Sequence, residues 1–179
     1  MRRLKLAVAL LTTVICASQS AWAREPTDAE RQELNRTVIA YEGALAAKDM
    51  VAVFNAMPPR AFEYLSEKSG VSVDQMKAMV GKLAAKTTDK LGPFDMNAKD
   101  AEFRELSDGT PFALIPTETI FSADDGQVIK SVSSTLAILE DGKWYLMRVN
   151  DARQLTILHA VYPEFTGVEF PRGTMELKD

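Results

Sequence analysis

The sequence predicts an α+β domain: N-terminal helices packed on a curved antiparallel meander sheet, then a short C-terminal helix. Three observations lead to this fold class. Up to about residue 90, apolar residues recur every three or four positions, as they do on one face of a helix. From about residue 94 the chain is rich in Thr, Ile, Val and Phe, and Asp-Gly pairs separate its extended runs. Segment 152–161 returns to helical spacing.

The first 23 residues have the layout of a secretory signal peptide. Three cations lie within the first five residues, segment 6–17 carries no charge, and Ala21-Trp22-Ala23 offers small residues for cleavage. The uncharged run is about a dozen residues long, fewer than the roughly 20 that span a bilayer. We therefore predict cleavage near Ala23, a periplasmic or secreted location, and no stable membrane insertion of the mature chain.

The remaining chain, 24–179, is predicted to be a single domain with its core at about 27–162 and a tail at 163–179. The only cysteine is Cys16, in the signal peptide, so the mature chain can form neither a disulfide nor a thiolate zinc site. Loss of the three cations of the signal peptide leaves 18 basic against 25 acidic residues, a net charge of −7. We therefore expect no nucleic-acid partner.

The helical half is predicted from caps and apolar stripes. Thr27 and Glu30 form a capping box at the start of the first helix. Apolar residues then follow at steps of four and three, at Leu34, Val38, Tyr41 and Leu45. Three shorter helices are predicted after it: one capped by Asp49 and stopped by Pro58-Pro59, one ended by Gly70, and one capped by Ser72.

The sheet is predicted from two Asp-Gly turns, Asp125-Gly126 and Asp141-Gly142. An Asp-Gly pair between extended runs is the strongest short-range signal for a β-hairpin. The predicted strands are 111–122, 127–139 and 144–150, with an earlier one within 94–106.

Two stretches of the chain carry a resemblance to a known superfamily. Residues 40–54 (AYEGALAAKDMVAVF) combine the end of a long helix, an Asp and a short helix, and residues 136–146 (LAILEDGKWYL) form a hairpin. In this order of elements, over roughly residues 30–150, the chain resembles the nuclear-transport-factor-2-like superfamily, which includes ketosteroid-isomerase and SnoaL-like branches. The resemblance implies a sheet that wraps the helices into a cone, often with a pocket. It implies no activity, because the superfamily mixes enzymes, ligand binders and non-catalytic domains.

Two-residue turns at both Asp-Gly pairs would gather polar side chains on one sheet face. They pair Thr135 with Arg148 and Ser133 with Asn150 on one side, and Ser133 with Glu118 on the other. These five residues are the predicted ligand-binding site. The cluster depends on the length of the first turn, because a change of one residue would move Glu118 to the opposite face.

The face that carries this cluster is called the mixed face, and it has two alternative interpretations. In the simpler one, the opposite, apolar face packs on the helices and the polar cluster is exposed. In the other, the mixed face lines the cone, with Arg148 and Glu118 at the base of an apolar pocket. The mixed face is predicted to include Leu114, Ala137, Leu139, Trp144 and Leu146, and the apolar face Ile115, Leu136, Ile138, Tyr145, Met147 and Val149.

No motif for catalysis or for metal binding is recognisable. His159 is the only histidine, and we expect it to be a partly buried helix residue. We predict no metal and no cofactor, and we assign no catalytic residue. The expected function is that of an exported, non-catalytic domain that binds a small ligand or an envelope protein. The alternatives are an isomerase or dehydratase with a carboxylate such as Glu118 as base, and a structural module that forms a homodimer through its outer sheet face.

Overall fold

Helices come first and a curled antiparallel sheet follows them in the computed structural model, which describes residues 22–23, 25–87, 91–123 and 125–177. A short helix near the C-terminus completes the α+β fold, as predicted. The helices are α1 (Asp28–Ala46), α2 (Met50–Asn55), α3 (Pro59–Ser69), α4 (Val73–Thr87) and α5 (Ala152–Val161). The strands are β1 (Trp22–Ala23), β2 (Leu91–Met96), β3 (Glu102–Glu105), β4 (Pro111–Ser122), β5 (Val128–Glu140), β6 (Lys143–Arg148) and β7 (Thr174–Leu177).

Most of the predicted signal peptide, residues 1–21, lies outside the described residues. Strand β1, at the predicted cleavage site, pairs with β3. None of the described helices is both long enough and apolar enough to cross a bilayer.

The helix ends follow the predicted caps. The backbone N–H of Thr27 donates to Glu30 Oε2 (2.8 Å), and the N–H of Glu30 donates to Thr27 Oγ1 (3.2 Å). Asp49 Oδ1 accepts from the N–H of Ala52 (3.0 Å) at the start of α2. Gly70 ends α3 in the left-handed conformation (φ 69°), which costs glycine little because it has no Cβ. The cap predicted at Ser72 for α4 is also present, as a capping box with Gln75.

Strands β4 and β5 are long and pair with each other, and the other edge of each pairs with two shorter strands. Strands β3 and β2 both pair with β4, and β6 and β7 both pair with β5. The segment predicted to hold one early strand therefore holds two. A short 3-10 turn, Ala98–Asp100, separates them, and the side chain of Asn97 accepts from the N–H of Lys99 to begin that turn.

The predicted register of the first hairpin is wrong by one residue. Thr117, not Glu118, is the Cα partner of Ser133. The physical reason is the turn: the N–H of Ala123 donates to Gln127 O (2.8 Å), which leaves three residues in the loop instead of two. Such a loop places a glycine in the left-handed region at its last position, and Gly126 lies there with φ 86°.

This shift moves Glu118 to the apolar face, opposite Val132, and exchanges the predicted faces of Leu114 and Ile115. The second hairpin has the predicted two-residue turn, with positive φ at both Asp141 (48°) and Gly142 (75°). Its register is therefore the predicted one.

Both faces of the sheet are covered. On the mixed face, α1 packs through Leu34 and Val38 against a cluster that includes Ile115, Trp144 and Leu146. On the apolar face, α5 and the 3-10 turn Pro163–Phe165 cover the sheet. The interpretation in which the mixed face is exposed to solvent is therefore wrong, because α1 covers it and the hydroxyl side chains along it are buried.

The packed part of the chain extends beyond residue 162, into the predicted tail. Phe165 is fully buried and meets Phe112 edge-on, with 5.1 Å between ring centroids. Arg60 holds this region to α3: its Nη2 donates to Val161 O (2.9 Å), and its guanidinium lies 4.4 Å from the ring centroid of Tyr162. Strand β7 then returns to pair with β5.

Tyr162 provides a prediction about alkaline pH. Burial raises the pKa of its hydroxyl well above the ordinary value of 10.0, and the negative charge of Glu140 raises it further. Folded Tyr162 thus stays neutral where the unfolded chain ionises, so its contribution to stability is complete below pH 10 and is lost above it. From about pH 8 to pH 11 we expect a loss of about 1.4 kcal/mol from this residue. Measured by urea unfolding, the free energy of unfolding of Tyr162→Phe should fall by about 1.4 kcal/mol less than that of the wild type over the same pH range. If the stabilities of the two proteins fell in parallel with pH, the burial of Tyr162 would be contradicted.

Candidate functional site

A cavity of about 470 Å³ opens between the C-terminal part of α1, α2, β2 and the mixed face. This volume lies within the range of pockets that hold small molecules. Its walls are mainly apolar and are formed by Tyr41, Leu45, Met50, Val53, Pro93 and Phe94. The polar side chains at its surface are Glu42, Lys48, Thr119 and Arg148.

Two local features of the backbone shape this cavity. Lys48 takes a left-handed conformation (φ 58°) between α1 and α2, so the chain reverses and α2 forms one wall. On the other wall, Gly92 brings β2 very close to β4. A Cβ at position 92 would lie 2.9 Å from Ile120 O, closer than real Cβ contacts, so only glycine fits there without a backbone shift.

Five hydroxyl side chains line the mixed face in a row, all less than 9% exposed: Thr117, Thr119, Ser131, Ser133 and Thr135. We call them the hydroxyl row. A buried hydroxyl costs free energy unless it is hydrogen-bonded. The hydroxyls of Thr117 and Thr135 meet at 2.8 Å, and Thr117 Oγ1 also donates to Ile115 O (3.0 Å). Thr119 reaches the cavity wall, and within the described residues its hydroxyl makes no hydrogen bond.

Arg148 lies at the mouth of the cavity, at the end of β6 and opposite Thr135. Its side chain is oriented by Asn150, whose amide is placed by its hydrogen bonds. The amide nitrogen donates to Ser134 O (3.1 Å), and the amide oxygen accepts from Ser133 Oγ (3.2 Å) and from Arg148 Nη2 (3.1 Å). No described carboxylate forms an ion pair with Arg148. Burial raises the pKa of Tyr41, and the positive charge of Arg148 partly offsets that rise.

Glu42 holds two elements of the cavity wall together. Its Oε1 accepts from the backbone N–H of Met96 at 2.7 Å, which ties α1 to the outer edge of β2. The carboxylate therefore satisfies a strand N–H that has no partner in β4. This bond gives Glu42 a structural role at the cavity.

Four of the five predicted site residues come together on the mixed face. The four that lie there, as predicted, are Ser133, Thr135, Arg148 and Asn150. That they bind a ligand stays a prediction. Glu118 does not join them. It lies on the apolar face, where its Oε2 is 2.7 Å from Lys130 Nζ, and its side chain is 41% exposed. The expected grouping of Glu118 with Arg148 on the mixed face is therefore wrong, because the three-residue turn shifts the register.

Sequence analysis missed most of the cavity lining. Tyr41 and Leu45 were assigned to the helix stripe, which predicts that they face the sheet but not that they line a cavity. Glu42 offered a signal that could have been used, because it follows Val38 by one helical turn and so places a carboxylate beside the buried stripe. Thr119 would have been placed on the mixed face by the correct turn length.

The described residues hold no group of three or more His, Asp or Glu side chains arranged to bind a metal ion. His159 lies on α5, which packs on the apolar face, so it is remote from the cavity. It is half-buried, as expected. The cavity thus offers an apolar volume, one oriented guanidinium and the hydroxyls of Tyr41 and Thr119, which are the means of holding an amphipathic molecule.

Comparison of the chain with protein-family models, with curated proteins and with solved structures finds no match. The arrangement of helices on a curled antiparallel sheet is compatible with the cone that the sequence resemblance implies.

Proposed function

We propose that the protein binds a small, largely apolar molecule in the cavity between α1, α2, β2 and the mixed face. The observation that carries this proposal is the cavity itself: about 470 Å³ with mainly apolar walls and a few polar groups among its lining residues. Sites for small molecules have this composition, because apolar walls supply affinity and a few polar groups fix orientation.

The proposal includes the location and the family that the sequence predicts. The protein would be exported, lose its first 23 residues, and bind its ligand in the periplasm or outside the cell. If this is right, N-terminal sequencing of the protein from the envelope fraction should find Arg24 as its first residue. The curled sheet around α1 supports membership of the nuclear-transport-factor-2-like superfamily, in the ligand-binding rather than the catalytic group.

Binding is favoured over the two alternatives by specific placements. The isomerase or dehydratase was expected to use a carboxylate such as Glu118 as base. Glu118 lies on the apolar face and is paired with Lys130. Glu42, the carboxylate that lines the cavity, accepts a hydrogen bond from the N–H of Met96. The structural module was expected to dimerise through the outer sheet face, but α5 and Phe165 cover the apolar face. The cavity is a feature that the structural module does not need.

A substitution that fills the cavity tests the proposal. Leu45 lines the cavity from α1, and Leu45→Trp would place an indole ring in it. We expect the affinity for N-phenyl-1-naphthylamine, a neutral probe that fluoresces in apolar sites, to fall about tenfold or more. The measurement is a fluorescence titration of the purified protein, with circular dichroism to verify that the variant is folded.

The matched control is Ile39→Trp, on the same helix. Ile39 is 60% exposed and does not line the cavity, so the same substitution there should leave the affinity for the probe unchanged. An equal loss in both variants, or no saturable binding by the wild type, would contradict the proposed function.

A further inference from the structure

Arg148 is a cation without an anion at the mouth of an apolar cavity. Its contact with Asn150 Oδ1 uses one of the five N–H groups of a guanidinium. No described residue offers it a carboxylate, although acidic residues outnumber basic ones in this chain, 25 to 21. The side chain is exposed at the cavity mouth, so its remaining donors are open to a molecule that enters.

The neighbours of Arg148 suit the same kind of ligand group. Thr119, which also lines the cavity, carries a hydroxyl for which the described residues provide no hydrogen bond. The one carboxylate among the lining residues, Glu42, uses its Oε1 to accept from the backbone N–H of Met96. The hydrogen bond from Asn150 to Ser134 O holds the amide that orients Arg148, so the guanidinium keeps its position without a ligand.

From this arrangement we infer that the ligand is an amphipathic carboxylate, whose acid group pairs with Arg148 while its apolar chain lies among Tyr41, Leu45, Met50 and Phe94. The planar guanidinium donates two parallel hydrogen bonds to a carboxylate, a geometry that an ammonium group does not offer. This inference rests on the proposed function, since it names the class of molecule that the cavity holds.

A matched set of ten-carbon probes tests the inference. Decanoate, 1-decanol and decylamine carry the same chain and differ in the charge of the head group. The assay measures how well each probe displaces N-phenyl-1-naphthylamine from the purified protein, at about physiological salt. Each probe is kept below its own critical micelle concentration. We expect decanoate to bind about tenfold more tightly than 1-decanol, and decylamine to bind more weakly than either.

The variant Arg148→Met removes the charge and keeps an apolar stem. In this variant the affinity for decanoate should fall to within about threefold of the affinity for 1-decanol, and the affinity for 1-decanol should not change. Arg148→Lys should lie between the wild type and Arg148→Met, because it keeps the charge and loses the two-pronged geometry. The control is Arg153→Met, an exposed arginine on α5 that does not line the cavity, and it should retain the full preference.

Two failures are distinguishable. If the wild type binds 1-decanol as tightly as decanoate, or if Arg148→Met keeps the preference, the inference is overturned while the cavity remains a binding site. The wild-type comparison needs no variant, so the inference can be tested even where a substitution disturbs folding. If neither the neutral dye nor any ten-carbon probe binds, the proposed function itself fails.

Discussion

Replacement of Trp144 by alanine should lower the free energy of unfolding by about 3–5 kcal/mol. The indole is fully buried where β6 meets α1, and it contacts Phe103 edge-on with 6.0 Å between ring centroids. Its Nε1 donates to the carbonyl of Glu30 at 3.1 Å, so the substitution removes a hydrogen bond as well as a large apolar volume. Urea unfolding followed by circular dichroism measures the loss, because the substitution removes one of the two tryptophans of the chain and so alters the fluorescence signal.

The conservative variant Trp144→Phe separates the two contributions. It keeps an aromatic ring against Phe103 and loses the donor, so we expect a smaller loss of about 1–2 kcal/mol. If Trp144→Ala cost less than about 1.5 kcal/mol, α1 would not be packed on the mixed face as described.

Phe165→Ala should destabilise the protein by a similar amount, about 3–5 kcal/mol. This residue lies in the segment that the sequence assigned to a tail, where a substitution would be nearly silent. In the structure it is fully buried, and besides Phe112 it meets Tyr162 edge-on at 6.2 Å. The measurement is again urea unfolding of the variant against the wild type.

Phe170 provides the matched control. It lies in the same segment, its ring centroid is 6.2 Å from that of Phe165, and it is only partly buried. Phe170→Ala should therefore cost about 1 kcal/mol. Equal and small effects of the two substitutions would indicate that the segment after α5 does not pack on the sheet.

Local chemistry made much of the fold predictable. The capping box at Thr27, the cap at Asp49 and the glycine at position 70 each depend on atoms only a few residues apart, so the sequence contains all that they need. The turn at Asp141-Gly142 is local in the same sense, and it set the register that places Arg148 opposite Thr135.

The remainder depends on tertiary contacts or on a choice that the sequence leaves open. An Asp-Gly pair occurs in two-residue and in three-residue hairpin loops, and the difference of one residue removed Glu118 from the site. The mixed face contains enough apolar residues to pack against a helix, so its burial is decided by where α1 lies. The cavity itself is a place where packing is incomplete, and hydrophobic periodicity does not distinguish a wall from a core.

The last described strand of the chain, β7, pairs with an edge of β5 whose backbone groups would otherwise be unpaired. Strand β7 covers the backbone of β5 from Ile129 to Val132, and its own side chains stay exposed, Met175 and Leu177 among them. A chain shortened by proteolysis before residue 174 would present a row of unsatisfied N–H and C=O groups to the same edge of other shortened chains. Loss of a few C-terminal residues would thus leave the cavity lining in place and expose the backbone edge of β5 from Ile129 to Val132.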